Sequence, residues 1–194
     1  QPGVPTVEQW LAETLPQGGV LAADGLCVSA AMVKTLRGAF EEKGICLRDE
    51  DFLTPLWTED RPPVPATPAW MLTKDQAGLS VRQKLAAQKA GAMLVTRLDS
   101  VAWLLNLRAS DIAYNPFALA YCLVEENTAR LFINAARVPE DVQAALKAQG
   151  VELCGYEQAR SALAAMEGPA TVLYEPAGTS WAMLRALEEN PAVT

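Results

Sequence analysis

The run Leu98–Pro116, LDSVAWLLNLRASDIAYNP, constrains this chain more than any other stretch, because it sets a sharply specified polar loop directly behind a short apolar helix. Asp99 is a good N-cap, and Leu98 before it with Trp103 inside the helix forms a hydrophobic staple that fixes the entry angle. Val101, Leu104 and Leu105 repeat at i, i+3, i+4, so one face is apolar for about two turns. Asn106, Arg108, Ser110 and Asp111 then break the pattern and predict a polar loop. Asn115-Pro116 signals a turn, and Phe117–Val124 reads as an apolar, partly aromatic strand.

The flanking segments alternate strand and helix. Residues 1–60 predict a helix over 7–15, a strand over 20–23, a helix over 29–43 and a strand over 45–48, a βαβ pattern behind a leading helix. Ser29 is the N-cap, Met32, Val33, Leu36 and Phe40 make the inner face, and Gly44 closes the helix. Pro55, Pro62, Pro63, Pro65 and Pro68 leave the next stretch too poor in backbone donors for a central strand, so it reads as a linker. Ser80 with Gln83 makes a capping box for a helix reaching Ala90, and a strand covers 92–97. Beyond the opening block, strands over 117–124 and 130–134 form an antiparallel hairpin. Helices over 140–148, 157–166 and 180–189 alternate with strands over 151–154 and 171–174. The expected class is α/β, a mixed sheet with helices on both faces.

An internal echo links the two ends. Val20-Leu21 through Ser29-Ala30-Ala31-Met32 and Leu36 recurs as Val172-Leu173 through Ser180-Trp181-Ala182-Met183 and Leu187, with a one-residue gap. Two related βα units account for this, or the shared physics of capping and packing does.

Composition excludes several roles. With 194 residues and 51% hydrophobic content the chain can bury a core, while a net charge of -7 gives no footprint for phosphate backbones, so nucleic acid is not an expected partner. No segment approaches the roughly 18 consecutive apolar residues of a membrane helix, and the N-terminus lacks a signal-peptide pattern. A soluble, cytoplasmic protein is expected. Cys27, Cys46, Cys122 and Cys154 lack CxxC spacing and sit in or beside apolar runs, and they read as core thiols. The chain has no histidine, which removes Ser-His and Cys-His nucleophilic pairs and the usual transition-metal sites.

The opening block resembles the signature of the second domain of Xaa-Pro aminopeptidases (aminopeptidase P), WL.NLRG.DI..NPVF.SY. The likeness continues through Leu56-Trp57, Arg61-Pro62, Pro65, Pro68, Ala77-Gly78-Leu79-Ser80 with Lys84, and Leu98-Asp99. It implies a creatinase N-terminal-type fold in two successive copies: residues 1–60 as the C-terminal part of a first domain, and 61–194 as the second, slightly truncated. Residues 191–194 are then the start of a last strand. The strand pair in residues 20–48 would have lost its upstream neighbours, and it is expected to dock on the second domain or on another copy of the chain. In that family a separate catalytic domain binds two divalent metal ions, usually manganese, through two Asp, one His and two Glu. No such set exists here, so the resemblance implies a noncatalytic N-terminal fragment, without metal or catalytic residues of its own. Gln1 in place of an initiator Met suits a piece of a longer chain. The implied partners are the catalytic domain, a proline-containing peptide and other copies of the parent, and the implied role is shaping access to the active site. A prolidase- or creatinase-like enzyme, or a peptidase-like binding module without hydrolytic activity, are the alternatives. The chain departs from the signature at Ala109, where the family has Gly, and at Ala120, where it has Ser. If position 109 needs φ > 0, Ala costs roughly 1 kcal/mol there.

Arg108, Asp111, Tyr114 and Asn115 are the candidate residues for a substrate cleft or a contact with the catalytic domain. Arg108 and Asp111 either face that domain or tie the loop to itself as an i, i+3 pair, with Asn106 ending the helix. Tyr121 is a cleft candidate or a half-buried strand residue. Asp49, Glu50 and Asp51 read as a solvated turn, since three consecutive carboxylates do not converge on one ion.

Overall fold

The computed structural model describes residues 3–168 and 170–194. The chain divides into two compact units, one made of Gln1–Arg61 with Pro176–Arg185, the other of Pro62–Glu175 with Ala186–Thr194.

The first unit follows its sequence signals closely. Helix α1 (Val7–Thr14) starts from a Thr6–Gln9 capping box, and strand β1 (Val20–Ala23) follows. Helix α2 (Ala30–Phe40) is capped by Ser29, whose hydroxyl accepts the Met32 N–H at 3.2 Å. A short 3-10 turn ends at Gly44, which adopts φ +59, and strand β2 (Cys46–Asp49) pairs parallel with β1, Val20 opposite Cys46. Leu36, Phe40 and Ile45 form the core with Leu11, Leu15, Leu21 and Leu47 packed against it. Met32 departs from the predicted inner face and is exposed, and so are Cys27 and Cys46, which are surface thiols and not core. Among the described residues β1 and β2 pair only with each other.

The second unit begins with strand β3 (Trp70–Met71) and helices α3 (Lys74–Ala77) and α4 (Val81–Ala86), the latter opened by the expected Ser80–Gln83 box but ending four residues early. Strand β4 (Ala92–Val95), helix α5 (Leu98–Leu104) and strand β5 (Leu107–Arg108) follow, and β5 pairs antiparallel with β3. The hairpin is β6 (Tyr121–Glu125) and β7 (Thr128–Phe132), then come α6 (Glu140–Ala148), β8 (Val151–Cys154), α7 (Ala159–Ala164) and β9 (Val172–Tyr174), while the last helix, α8 (Trp181–Glu188), has Trp181–Arg185 in the first unit and its end in the second. The sheet order is β8-β7-β6-β4-β9, with β4, β6 and β7 antiparallel in turn and parallel pairs at both ends, a mixed sheet as expected. Alternation along the strands sends Val95, Cys122, Val124, Ala129, Leu131 and Val151 to one face, where Val81, Leu85, Val101, Leu104, Val142 and Leu146 from α4, α5 and α6 complete the core. Leu94, Leu123 and Phe132 point to the opposite face, on which Tyr156, just before α7, stacks against Tyr121 with ring centroids 5.1 Å apart. Val193 bridges Ala170 in parallel and Thr194 accepts the Val172 N–H, so the last residues run beside β9.

Three local expectations fail for physical reasons. Asp99 is not the N-cap: its carboxylate is drawn into an ion pair with Arg97 at 2.9 Å, and Arg97 takes the cap position. Trp103 is exposed and staples nothing in the core. Residues 117–120 are not strand: Phe117 bonds through its carbonyl to the Asp111 N–H and through its own N–H to the Asn115 carbonyl, and the Leu119 N–H donates to the Asp111 carboxylate.

The two echoing turns meet. The Ala30 and Ala31 N–H groups of α2 donate to Thr179 and Pro176 carbonyls at 2.8 and 2.9 Å, and the Trp181 and Ala182 N–H groups of α8 donate to Val28 and Gly25 at 2.7 and 2.8 Å. A helix start leaves its first N–H groups without intrahelical acceptors. Here each helix finds them in the loop that leads into the other, while Ser29 and Ser180 accept from their own third residues, Met32 and Met183.

Candidate functional site

The loop that follows α5 is built on two buried polar anchors, one at each end. Helix α5 stops because Asn106 adopts φ +52, a left-handed conformation that Asn tolerates better than most residues. Its side chain is buried, donates to the Leu79 carbonyl at 2.9 Å and accepts from the Lys84 ammonium at 2.6 Å. Lys84 lies on α4 with Val81 and Leu85, the i, i+3, i+4 positions that turn inward, and is only 3% exposed. Its Nζ also donates to the Trp103 carbonyl at 2.5 Å and sits 4.4 Å from the centre of the Trp103 ring. Burial lowers the pKa of this ammonium, and the nearby positive charge of Arg108 lowers it further. Exposed Trp103 thus roofs a buried cation.

The second anchor is Asp111. Its carboxylate receives both terminal nitrogens of the Arg137 guanidinium, the Thr67 hydroxyl at 2.8 Å and the Leu119 N–H at 2.7 Å. The two charged side chains are 0% and 1% exposed. Burial alone raises the carboxyl pKa, but the bonds from Arg137, Leu119 and Thr67 outweigh it and hold Asp111 below its ordinary value. Arg137 also donates to the Pro65 carbonyl, and Ser110 N–H donates to Thr67, so the proline-rich segment is clamped to the loop. The Asp111 N–H donates to the Phe117 carbonyl, which closes the loop at its base.

Between Asp111 and Phe117 the chain makes an exposed tip, residues 112–116. The Asn115 N–H returns to the Ile112 carbonyl at 3.1 Å, and Tyr114, the third residue of that turn, takes φ +64 with its side chain wholly in solvent.

The four candidate residues therefore separate. Arg108 and Asp111 do not pair: Arg108 donates to the carbonyls of Ala102 and Leu107 at 2.5 and 2.9 Å, and Asp111 is turned inward to Arg137. Neither a surface-facing Asp111 nor an i, i+3 tie survives this geometry. Tyr114 and Asn115 lie together at the tip. Tyr121 is half-buried and its hydroxyl accepts from Tyr156 at 3.2 Å. Ala109 is fully buried with an ordinary φ, so no left-handed position is being filled without glycine. Arg137 and Thr67 escaped sequence reasoning, since a charge pair 26 residues apart leaves no periodic trace. Lys84 did leave one, a charge on the inward face of an amphipathic helix.

Metal chemistry finds no donor set here. Among the described residues no group of three or more Asp, Glu, Cys or His side chains converges. The acidic run diverges: Asp49 accepts from the Gly25 N–H and pairs with Arg185, Glu50 lies by Arg48, and Asp51 accepts from the Leu53 and Thr54 N–H groups. No helix among the described residues is long and apolar enough to cross a membrane.

Comparison with known proteins places these features in a family. A family model described as the creatinase/prolidase N-terminal domain matches residues 60–194. A probable Xaa-Pro aminopeptidase P of Sordaria macrospora is 31% identical over 163 residues, covering 79% of this chain and 26% of that protein. Aminopeptidase P2 of Arabidopsis thaliana is 32% identical over 166 residues, covering 80% of this chain and 23% of that protein. The crystal structure of X-prolyl aminopeptidase from Caenorhabditis elegans, described as a cytosolic enzyme with a di-nuclear active site, superposes with a TM-score of 0.86 at 27% identity, covering 100% of this chain and 34% of that one. The chain spans about a quarter of the length of the curated relatives it matches. By the family model and the fold together, this chain belongs to the creatinase/prolidase N-terminal domain family.

Proposed function

We propose that this chain is the noncatalytic N-terminal region of an Xaa-Pro aminopeptidase, a metallopeptidase that removes the first residue of peptides with proline in second position. The observation that carries the reading is the whole-chain superposition, with a TM-score of 0.86, on about a third of the Caenorhabditis elegans enzyme. Relatives named aminopeptidase P favour this over a prolidase-like enzyme or a binding module. In this reading residues 1–60 are the end of a first domain of the same fold, supported by the echo between the β1–α2 and β9–α8 segments, and 61–194 form the second. Two divalent metal ions, manganese in this proposal, belong to the catalytic domain and supply its activated hydroxide. This region walls the cleft so that only a free peptide N-terminus enters, and it supports oligomer formation in the cytoplasm. Arg108, Tyr114 and Asn115 are the residues proposed nearest the domain contact, with Asp111 setting the loop beneath them.

The test is a fluorogenic Xaa-Pro peptide assay with and without manganese. The 194-residue chain is expected to give no turnover, while the longer protein cleaves after the first residue and ignores the same peptide with a blocked N-terminus. Turnover by the pure chain, or equal cleavage of the blocked peptide, refutes the proposal.

A further inference from the structure

The tip of the anchored loop is built as a protrusion. Residues 112–116, Ile-Ala-Tyr-Asn-Pro, are all exposed and uncharged, and Tyr114 projects fully from a turn position with φ +64 that favours glycine or asparagine. A large aromatic residue kept in a left-handed conformation, with nothing among the described residues to cover it, is spending conformational energy on presentation. The base does not yield, since Asp111 is locked by Arg137, Thr67 and the Leu119 N–H, and Phe117 closes the loop behind it. An uncharged tip led by a tyrosine on a fixed stem has the chemistry of an interface anchor, an amphipathic ring of low conformational entropy that fills an apolar pocket while its hydroxyl finds one partner.

We propose that residues 112–116 form a docking knob, with Tyr114 its anchor, for the part of the longer protein that follows this region; this rests on the functional reading above. Two observations select that occupant. The matched family is an N-terminal domain and the relatives extend to about four times the segment they share with this chain, so a large covalently linked surface is available. The tip is convex, so it cannot enclose a peptide or other small ligand, which needs a concave site. A second copy of this chain would have to offer an apolar socket. The cavity of about 1080 Å³ beside β8 mixes Ala144, Val151, Leu153 and Met166 with Arg130, Lys147 and four glutamates, and dilution in the experiment below separates a partner copy seated there from the covalently linked occupant.

The experiment is hydroxyl-radical footprinting of the longer protein, read by mass spectrometry at Ile112, Tyr114 and Phe117. In the native protein Tyr114 is expected to label at least tenfold more slowly than in the same protein unfolded in guanidinium, and the protection is expected to persist on dilution. Tyr114→Gly, which suits the turn and leaves the stem intact, is expected to raise labelling of Ile112 at least threefold without lowering Tm. Labelling of Tyr114 at the unfolded rate overturns the proposal, as does protection that disappears when oligomers dissociate, or an Ile112 rate that Tyr114→Gly leaves unchanged. Xaa-Pro cleavage by a protein whose Tyr114 labels freely removes the knob and leaves the functional reading standing. Protection without such cleavage does the reverse.

Discussion

Replacing Asp111 with alanine removes the acceptor that holds the loop, and its cost can be worked from the ion pair. The carboxylate and the guanidinium are 0% and 1% exposed, so neither is stabilised by water. Taking away the carboxylate strands a buried cation, which retains only long contacts of 3.4 Å to the Pro65 carbonyl and the Thr67 hydroxyl, and leaves the Leu119 N–H unmatched. Breaking one side of a buried pair costs about 3–5 kcal/mol, a large share of the roughly 5–15 kcal/mol that holds an ordinary domain together. Asp111→Asn keeps an acceptor for Leu119 but loses the charge, and should fall near the lower end of that range. Removing both charges in Asp111→Ala/Arg137→Met should cost less than the sum of the single changes, with a coupling of more than about 1 kcal/mol. The assay is urea unfolding followed by circular dichroism across wild type, the three single variants and the double variant. A second signature is pH. The folded carboxyl titrates below its ordinary value, so its contribution is complete above the unfolded pKa of about 3.9 and disappears as pH falls through the lower folded value. The gap between wild type and Asp111→Asn should be flat above about pH 5 and should narrow at more acid pH. Additivity within about 0.5 kcal/mol, or a gap indifferent to acid, would refute the reasoning.

Other expected outcomes can be checked with simpler means. Burial pushes the Cys122 thiol up to about 12, so iodoacetamide should modify exposed Cys27 and Cys46 in the native protein and leave Cys122 unlabelled until it unfolds. Lys84→Met, which preserves length but strips two hydrogen bonds from a charged donor, should cost about 2–3 kcal/mol by thermal melting, and a change below about 0.5 kcal/mol would deny the anchor its role. Ala109→Gly restores the family residue yet should destabilise by about 1–2 kcal/mol, because it deletes a buried methyl and loosens the unfolded chain without relieving any backbone strain. Ser180→Ala removes the α8 cap and should cost about 1 kcal/mol.

What could be read in advance depended on how local its cause was. Helix α6 and strand β8 occupy Glu140–Ala148 and Val151–Cys154 as expected, because periodicity, an acidic first turn and Gly150 at φ +87 all act within a few residues. The Ser80 and Ser29 caps were legible for the same reason. The β3–β5 pair was not, since two-residue strands are too short to show a period of two and their partners lie more than thirty residues apart. Phe117–Ala120 has the composition of a strand, but the Leu119 N–H is taken by the Asp111 carboxylate, a competition that only tertiary structure reveals. The site was half visible. Its loop and its tip residues could be located from LRASDIAYNP, whereas the inward turn of Asp111 depended on Arg137, which carries no signal of its own.

The exchange of acceptors between the starts of α2 and α8 limits how this sequence can change. A deletion in 25–28 would take the acceptors from a helix some 150 residues away in the chain, and one in 176–179 would do the same in return. Those two loops, 24–29 and 175–180, are equal in length, so the fit is reciprocal. Viable insertions there should come in matched pairs, a covariation of loop lengths that aligned homologues would display as paired gaps and that single-site comparison would overlook.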